Sequence, residues 1–168
     1  MYAIGNKYVA QWDGSTWSAL GSGMNGSIYQ LAAANGKVYA YGAFTTAGGI
    51  AATNVAEWDG TNWSAFGPGL AFGANQWVFG LAASGNMLYV GGLFTNAAGI
   101  PANNIIQWDG TNWSAMGSGM DGQVNTLAVW GDALVAGGDF ITAGETVSPF
   151  LAMAVPVPWE APPAVGSS

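Results

Sequence analysis

Few side chains of this sequence could act in acid–base or covalent chemistry. The 168 residues include nine carboxylates and two lysines, Lys7 and Lys37, but no histidine, cysteine or arginine. General acid–base catalysis most often uses histidine, and otherwise needs pairs of carboxylates in contrasting environments. A serine nucleophile needs a neighbouring base, and only the two lysines are available for that role. We therefore predict that the chain is not an enzyme.

The carboxylates are spaced as turn residues rather than as a catalytic pair. Asp13, Asp59 and Asp109 each precede a glycine, at equivalent places in three similar segments. Aspartate before glycine forms tight turns readily, because its side chain accepts hydrogen bonds from nearby backbone N–H groups. The remaining candidates, which show no dyad spacing, are Asp121, Asp132, Asp139, Glu57 and Glu145. We interpret the three repeated aspartates as structural.

We also predict no metal site and no cofactor. Calcium loops space their carboxylates as D-x-D-x-D, and this sequence has no such spacing. A calcium site made by Asp139 and backbone carbonyls around residues 142–145 stays open as an alternative to a solvated loop. The lack of cysteine excludes disulfides and thiolate metal sites.

Charge excludes two further classes of function. The formal net charge is −7, and charged residues make up 7% of the chain. Phosphate contacts and polybasic membrane attachment both need clustered lysine or arginine, so neither nucleic acid nor an anionic membrane surface is an expected partner. No apolar run approaches the roughly 20 residues of a spanning helix, so no membrane insertion is predicted. The start, MYAIG, has neither the basic stretch nor the apolar core of a signal peptide, and none is expected.

The elements that hold these residues are tandem repeats. The segment VAQWDGSTWSALGSGMNG at 9–26 recurs as VAEWDGTNWSAFGPG from residue 55 and as IIQWDGTNWSAMGSGMDG from residue 105. Their first tryptophans, Trp12, Trp58 and Trp108, are 46 and 50 residues apart. A second shared pattern begins at residues 28, 78 and 124, as IYQLAAANGKVYAYGAFTTAGG, VFGLAASGNMLYVGGLFTNAAG and VNTLAVWGDALVAGGDFITAG. Self-similarity at this period indicates a repeat architecture.

Each repeat is predicted to form four short strands. Residues 28–33 and 37–44 flank Asn35-Gly36, a strong hairpin signal, and residues 54–58 and 63–66 flank a second one, Asp59-Gly60. The glycine-rich residues 45–52 are expected to be a connection between the two hairpins. No stretch shows sustained helical periodicity with caps. Four-stranded antiparallel units of this length are typical of β-propeller blades, so we predict an all-β, β-propeller-like fold.

The array is predicted to contain about three and three-quarter blades, as a partial or four-bladed propeller. Residues 1–5 align with residues 38–42, so the chain is expected to open at the second strand of a blade. The predicted units are a partial blade, 1–27, and blades 28–77, 78–123 and 124–160, within a repeat domain 1–155 followed by a proline-rich tail, 156–168. In the last blade, Met153 is predicted at the place of the first tryptophan and Trp159 at that of the second. Open ends of such an array need covering.

The blocks WDGSTWSALGSGMNG and VYAYGAFTTAGG resemble kelch-like, galactose-oxidase-type propeller repeats, which occur in many bacterial and viral surface proteins. The resemblance extends from Met1 to about Trp159. The kelch diglycine has counterparts in Gly91-Gly92 and Gly137-Gly138, whereas the second blade has Tyr41-Gly42. The resemblance implies a propeller fold. It does not imply the oxidase activity, since the copper site of that enzyme needs histidine and a cysteine-linked tyrosine.

Six of the nine tryptophans belong to the repeat, in pairs five residues apart whose second members are Trp17, Trp63 and Trp113. We expect each pair to pack across its hairpin or between blades, because strict periodicity is what packing demands. The alternative is a set of platforms for sugar rings, with Asn62 and Asn112 as neighbouring amides.

Aromatic residues outside the repeat pattern are the candidate contact residues. The link from residue 69 to residue 78 is four residues longer than the one from 23 to 28, and it contains Phe72 and Trp77. Trp130 stands where the other repeats have Ala34 and Ser84. An exposed loop aromatic without a packing role indicates contact with a partner, although local packing is the competing interpretation. The candidate contacts for a protein or a glycan are Phe72, Trp77, Trp130 and Trp159.

The leading functional hypothesis is a non-enzymatic structural and binding module within an oligomer or a larger particle. The ends of the incomplete array expose sheet edges that need a partner, and a surface with few charged residues is expected where subunit contacts bury it. The expected partners are the chain itself or other virion or surface proteins. We favour a phage virion component, such as a capsid decoration, tail or fibre protein, or a surface-assembly protein, located in the virion, outside the cell or at its surface. The alternatives are a carbohydrate-binding, lectin-like propeller and a fragment of a longer secreted kelch-like propeller.

Overall fold

The described part of the protein is built from four main antiparallel sheets that follow one another along the chain. The computed structural model describes residues 2–4, 9–66, 69–70 and 76–154, and every element in these ranges is a β-strand. The first sheet has the order β1 (Tyr2–Ile4), β2 (Val9–Trp12), β3 (Trp17–Ala19). Each later sheet is accompanied by a ladder of two short strands.

The remaining strands repeat one pattern. The second unit consists of β4 (Ser27–Ala34), β5 (Lys37–Ala43), the ladder β6 (Thr46–Ala47) and β7 (Ile50–Ala51), β8 (Val55–Trp58) and β9 (Trp63–Ala65). The third consists of β10 (Trp77–Ser84), β11 (Met87–Leu93), the ladder β12 (Asn96–Ala97) and β13 (Ile100–Pro101), β14 (Ile105–Trp108) and β15 (Trp113–Ala115). The fourth consists of β16 (Val124–Trp130), β17 (Ala133–Gly138), the ladder β18 (Thr142–Ala143) and β19 (Thr146–Val147), and β20 (Leu151–Ala154). The sheet orders are β4-β5-β8-β9, β10-β11-β14-β15 and β16-β17-β20.

Turn chemistry explains why the strands pair as hairpins. Asn35 and Gly36, between β4 and β5, both have positive φ, 51° and 75°, as the favoured two-residue hairpin turn requires. At the second turn, one oxygen of the Asp59 side chain accepts hydrogen bonds from the N–H groups of Thr61 and Asn62, both at 2.7 Å. Both predicted hairpins are therefore confirmed.

Residues 45–52 connect the two hairpins, as predicted, but the prediction of four strands per repeat missed two further short strands there. These residues contain the ladder β6–β7, in which Thr46 pairs with Ala51 and Ala47 with Ile50. Gly48 and Gly49, at φ 60° and 85°, make the tight turn between these two strands. The diglycine is thus itself a hairpin signal, because a two-residue turn of this kind needs positive φ at both positions and glycine adopts positive φ without strain.

The sheets stack face to face as blades. Neighbouring residues of one strand face opposite sides of the sheet, so a middle blade buries both its faces. Val55 belongs to the core shared with the third sheet and Ala56 to the core shared with the first. Likewise, Ile105 faces the fourth sheet and Ile106 the second. Strands β4, β10 and β16 lie side by side, each being the first strand of its blade. The architecture is β-propeller-like, as predicted.

Strand register shows how the first and last sheets relate to the middle ones. Tyr2 pairs with Gln11 as Tyr39 pairs with Glu57, so β1 corresponds to the second strand of a blade. The boundaries assigned to the units and to the tail stay predictions.

The fourth sheet corrects one sequence alignment. Leu134 pairs with Ala154 as Leu88 pairs with Trp108, so Ala154, not Met153, occupies the place of the first tryptophan. Met153 pairs with Val135 instead and takes the place that is polar in the other blades. The sequence alignment was one residue out because the last blade lacks the tryptophan that anchors the others.

Candidate interaction surface

The repeated aspartates are committed to their own turns. Asp13 and Asp109 accept backbone hydrogen bonds two and three residues on, as Asp59 does, at 2.7–2.8 Å. These bonds favour the charged carboxylate and hold the pKa of all three side chains below the usual value. A carboxylate held ionised in this way is a poor proton acceptor near neutral pH. The structural interpretation of the three aspartates is confirmed.

Asp121, in the loop before β16, connects this loop by hydrogen bonds to the segment that follows β17. One of its oxygens accepts hydrogen bonds from the N–H groups of Ile141 and Thr142, both at 2.8 Å, which lowers the pKa of the Asp121 side chain. Asn125 donates from its side-chain amide to Asp139 at 3.2 Å. Within the described ranges, no three acidic, histidine or cysteine residues lie close enough together to hold a metal ion.

The tryptophan pairs pack as the sequence predicts. Trp58 lies directly opposite Trp63 and Trp108 opposite Trp113, with ring centroids 5.5 and 5.3 Å apart. The second ring of each pair is buried, with Trp63 only 5% and Trp113 only 7% exposed. The indole N–H of Trp63 donates to the carbonyl of Leu20 in the preceding blade at 2.8 Å.

The first pair is the exception. Trp12 and Trp17 have the same cross-strand geometry, with centroids 5.5 Å apart, but Trp17 is 50% exposed. The structure describes no blade in front of the first sheet, so the position that is buried in the next two blades faces outward here. We call the side of the first sheet that points away from the second sheet the leading face. Its described residues are Ala10, Trp12, Trp17 and Ala19.

Of the four predicted contact residues, two fall within the described ranges. Trp77 is 59% exposed and Trp130 is 72% exposed. Trp77 begins β10 whereas Trp130 ends β16, and both strands are the first of their blades. The two side chains therefore lie at opposite rims, about 20 Å apart along the strand direction, and are not brought together. Phe72 and Trp159 lie outside the described residues.

Trp130 belongs to a larger apolar face that the sequence did not predict. On β16, β17 and β20 the register places Ala128 opposite Val135 and Val135 opposite Met153, so these side chains point the same way. Trp130 and Leu151 are on this side too, which faces away from the third sheet. We call it the terminal face. Its members are the apolar residues Ala128, Trp130, Val135, Leu151 and Met153, together with the exposed Thr126 opposite Gly137.

Equivalent side chains are covered in the middle blades. Leu151 is 62% exposed, whereas Ile105 at the same place is only 2% exposed. Tyr39 and Tyr89, which correspond to Val135, are each only 1% exposed. The terminal face is thus the kind of surface that this protein buries wherever another blade follows.

The fourth blade is also more apolar than the middle blades at four exposed positions. Trp130 replaces Ala34 and Ser84, Ile141 replaces Thr45 and Thr95, Phe150 replaces Asn54 and Asn104, and Met153 replaces Glu57 and Gln107. All four side chains are more than half exposed. Phe150 has φ 67°, a conformation that asparagine tolerates and a bulky side chain does not adopt without strain. A correctly registered self-comparison of the repeats shows this pattern from sequence.

A second feature of the fourth blade is a cleft against the third. It has a volume of about 760 Å³ and is lined by Met87, Met116, Met120 and Ala154, among other side chains. Ala154 stands where Trp58 and Trp108 stand in the middle blades. The cleft lies where those blades carry the first indole of the pair.

Comparison with known proteins supports the fold. No family model and no curated protein matches the sequence. Among solved structures, the chain is similar to one titled "The beta-propeller domain of the Trilobed protease from Pyrococcus furiosus reveals an open velcro topology", with a TM-score of 0.53 and 12% identity. The match covers 87% of this chain and 42% of that one, so the chain spans less than half the length of its neighbour. Within the described ranges, no helix is long and apolar enough to cross a membrane.

Proposed function

We propose that the chain is a non-enzymatic structural and binding module that works within an oligomer or a larger particle, and that the terminal face is its contact surface. The observation that carries this proposal is the exposure of Trp130, Leu151 and Met153 on one side of the fourth sheet. A contiguous apolar patch on a folded protein marks an interaction site more often than a solvated surface. Single exposed apolar residues are ordinary, but a sheet face made of them is not.

The composition of the terminal face fits a protein contact. Tryptophan and methionine are enriched at the centres of protein interfaces, and charged residues are depleted there. Within the terminal face, neither a lysine nor a carboxylate interrupts the apolar side chains. A sugar site needs polar groups beside the aromatic ring, whereas the residues that the register places next to Trp130 on this face, Ala128 and Ala133, are apolar.

The proposed setting is a phage virion, as a capsid decoration, tail or fibre protein, or another surface assembly, with the chain located in the particle or outside the cell. The kelch-like, galactose-oxidase-type resemblance and the low content of charged residues support it. A fragment of a longer secreted propeller is the second candidate, favoured by the greater length of the similar solved structure. A lectin-like propeller is the third, favoured by the exposure of Trp77 away from the terminal face.

Light scattering on the purified chain over a range of concentrations tests the assembly. We expect the chain to associate in a concentration-dependent way. Trp130→Ser combined with Met153→Gln should weaken this association at least tenfold, because it replaces two apolar side chains of the terminal face by the polar residues found in the third blade, Ser84 and Gln107. Trp77→Ser is the matched control. It removes another tryptophan that is more than half exposed, introduces the residue found at Ser27, and should leave association unchanged.

A stable, well-folded monomer at all concentrations would overturn the proposal of self-assembly. A glycan array followed by tryptophan fluorescence titration distinguishes the lectin hypothesis from the assembly hypothesis. Binding that Trp77→Ser abolishes would support a lectin, and no binding to any glycan would remove it.

A further inference from the structure

Building on the proposed function, we propose that the occupant of the terminal face is the leading face of a second copy of this chain, so that copies associate head to tail. Both faces are defined by described residues. The terminal face has Thr126, Ala128, Trp130, Val135, Leu151 and Met153, and the leading face has Ala10, Trp12, Trp17 and Ala19. The two faces lie at opposite ends of the stack of blades. One copy can therefore use both at once.

The contacts inside the protein supply the rule for this pairing. In the core between the second and third sheets, Val55 and Tyr39 of one blade pack with Ile106, Trp108 and Trp113 of the next. Val55 occupies the place of Leu151, and Ile106 the place of Ala10. Between the first and second sheets and between the second and third, a surface of the terminal type is therefore met by a surface that carries a tryptophan pair.

On the leading face, the second ring of the tryptophan pair is not buried in this way. Trp63 and Trp113, the second rings of the other pairs, are buried against the preceding blade, whereas Trp17 is half exposed. Burying an aromatic side chain stabilises an interface through its large apolar area. Head-to-tail contact covers Trp17 and the terminal face in one step, while contact between two terminal faces leaves Trp17 in water.

The bulk of Trp130 fits the same arrangement. In the middle blades, Ala34 and Ser84 stand at this place, and the first strand of the following blade lies beside their strand. Among the described residues, β1, the equivalent of a second strand, comes first in the first sheet, so no described strand of the leading face occupies that place. A large indole in place of alanine or serine supplies apolar volume there.

A head-to-tail contact uses two different surfaces, so it forms a ring if the rotation closes and a fibre if it does not. Two copies bring together eight main sheets, and propeller rings typically contain about four to eight blades. A two-copy ring therefore matches a geometry that the fold already uses. The expected assembly is a closed dimer rather than a fibre.

Complementation between two blocked variants tests the pairing. Leu151→Asp combined with Met153→Asp blocks the terminal face, and Trp17→Asp blocks the leading face; all three residues are at least half exposed, so the fold should tolerate the changes. Each blocked variant alone should be a monomer, with association weakened at least tenfold. Mixed one to one, they should form a heterodimer through the one intact pair of faces, detected by native mass spectrometry with one variant isotope-labelled.

The other outcomes overturn the proposal in distinguishable ways. If Trp17→Asp alone associates like the wild type, the terminal face binds another surface, and the proposed function survives without the head-to-tail pairing. If the terminal-face variant associates like the wild type, the contact surface lies elsewhere. If the wild type is a monomer with the Trp130 region protected from hydrogen exchange, the chain covers its own terminal face and both proposals fail. Melting curves matched to the wild type, together with the milder pair Trp130→Ser and Met153→Gln, exclude misfolding as the cause.

Discussion

Replacing Trp63 and Trp113 separately by phenylalanine measures the contribution of one interblade hydrogen bond. The two residues are equivalent in the repeat and almost equally buried. Trp63 donates its indole N–H to the carbonyl of Leu20 at 2.8 Å, whereas the indole nitrogen of Trp113 has no hydrogen-bond partner among the described residues. Both substitutions remove a similar amount of apolar area, so their difference isolates the hydrogen bond.

Trp63→Phe should therefore destabilise the protein more than Trp113→Phe. Losing the donor leaves the buried Leu20 carbonyl unsatisfied, which costs about 1–3 kcal/mol. Trp113→Phe removes a buried donor that is already unsatisfied, and this gain offsets part of the stability that is lost with the smaller buried apolar area. We expect the free energy of unfolding to differ by about 2 kcal/mol between the two variants, a difference in melting temperature of roughly 4–8 °C for a chain of this size.

Urea unfolding followed by far-ultraviolet circular dichroism is the suitable assay, because tryptophan fluorescence changes with the substitutions themselves. The slope of the free energy with urea should stay the same in both variants, showing that the same surface is exposed on unfolding. An equal loss in both variants, or a larger loss in Trp113→Phe, would refute the assignment of the hydrogen bond as the interaction that distinguishes the two interfaces.

Three further predictions test other parts of the structure. Ala154→Trp should fill the cleft and raise the free energy of unfolding by about 2 kcal/mol in urea titrations; an unchanged midpoint would mean that the cleft is already filled. Gly92→Ala should lower the free energy of unfolding by about 3 kcal/mol or more, since its Cβ would lie 1.9 Å from the carbonyl oxygen of Trp77. Gly137→Ala is the control: the atom nearest to its Cβ would be a side-chain methyl at 3.1 Å, so this variant should melt near the wild-type temperature. Asp59→Asn should be less stable than the wild type at pH 7. This difference in the free energy of unfolding should shrink as the pH falls below about 4, because the pKa of Asp59 is lowered in the folded state and its side chain stabilises the fold only while the carboxylate is charged. A difference that stays constant with pH would contradict this.

Local signals made the blade predictable from sequence. Asn35-Gly36 and Asp59-Gly60 specify turns within a few residues, and the tryptophan spacing places both rings of a pair on one side of a hairpin. The ladder β6–β7 was missed although Gly48-Gly49 is a turn signal of the same kind, because two-residue strands carry no hydrophobic alternation. Turn chemistry was the better guide there.

The terminal face could not be predicted in the same way. Whether Leu151 is buried or exposed depends on what lies beyond its sheet, and the hydrophobic pattern of β20 is the same in either case. The alignment error at Met153 also hid the clearest sequence signal, an apolar residue in a place that is polar in the other blades. Register comes from the pairing of β20 with β17, which is a contact between distant residues.

The substitutions in the fourth blade separate an interaction surface from the mere end of an array. A blade without a successor exposes the residues that any middle blade would expose there, and Leu151 in the place of Val55 and Ile105 fits that explanation alone. Trp130 and Met153 do not, because the middle blades have small or polar residues at those places even though a neighbouring blade lies against them. In a repeat protein each blade contacts only its neighbours, so a change of residue type confined to one blade acts on what that blade touches. The terminal face is apolar beyond what the repeat itself requires, and this excess supports a binding role for it.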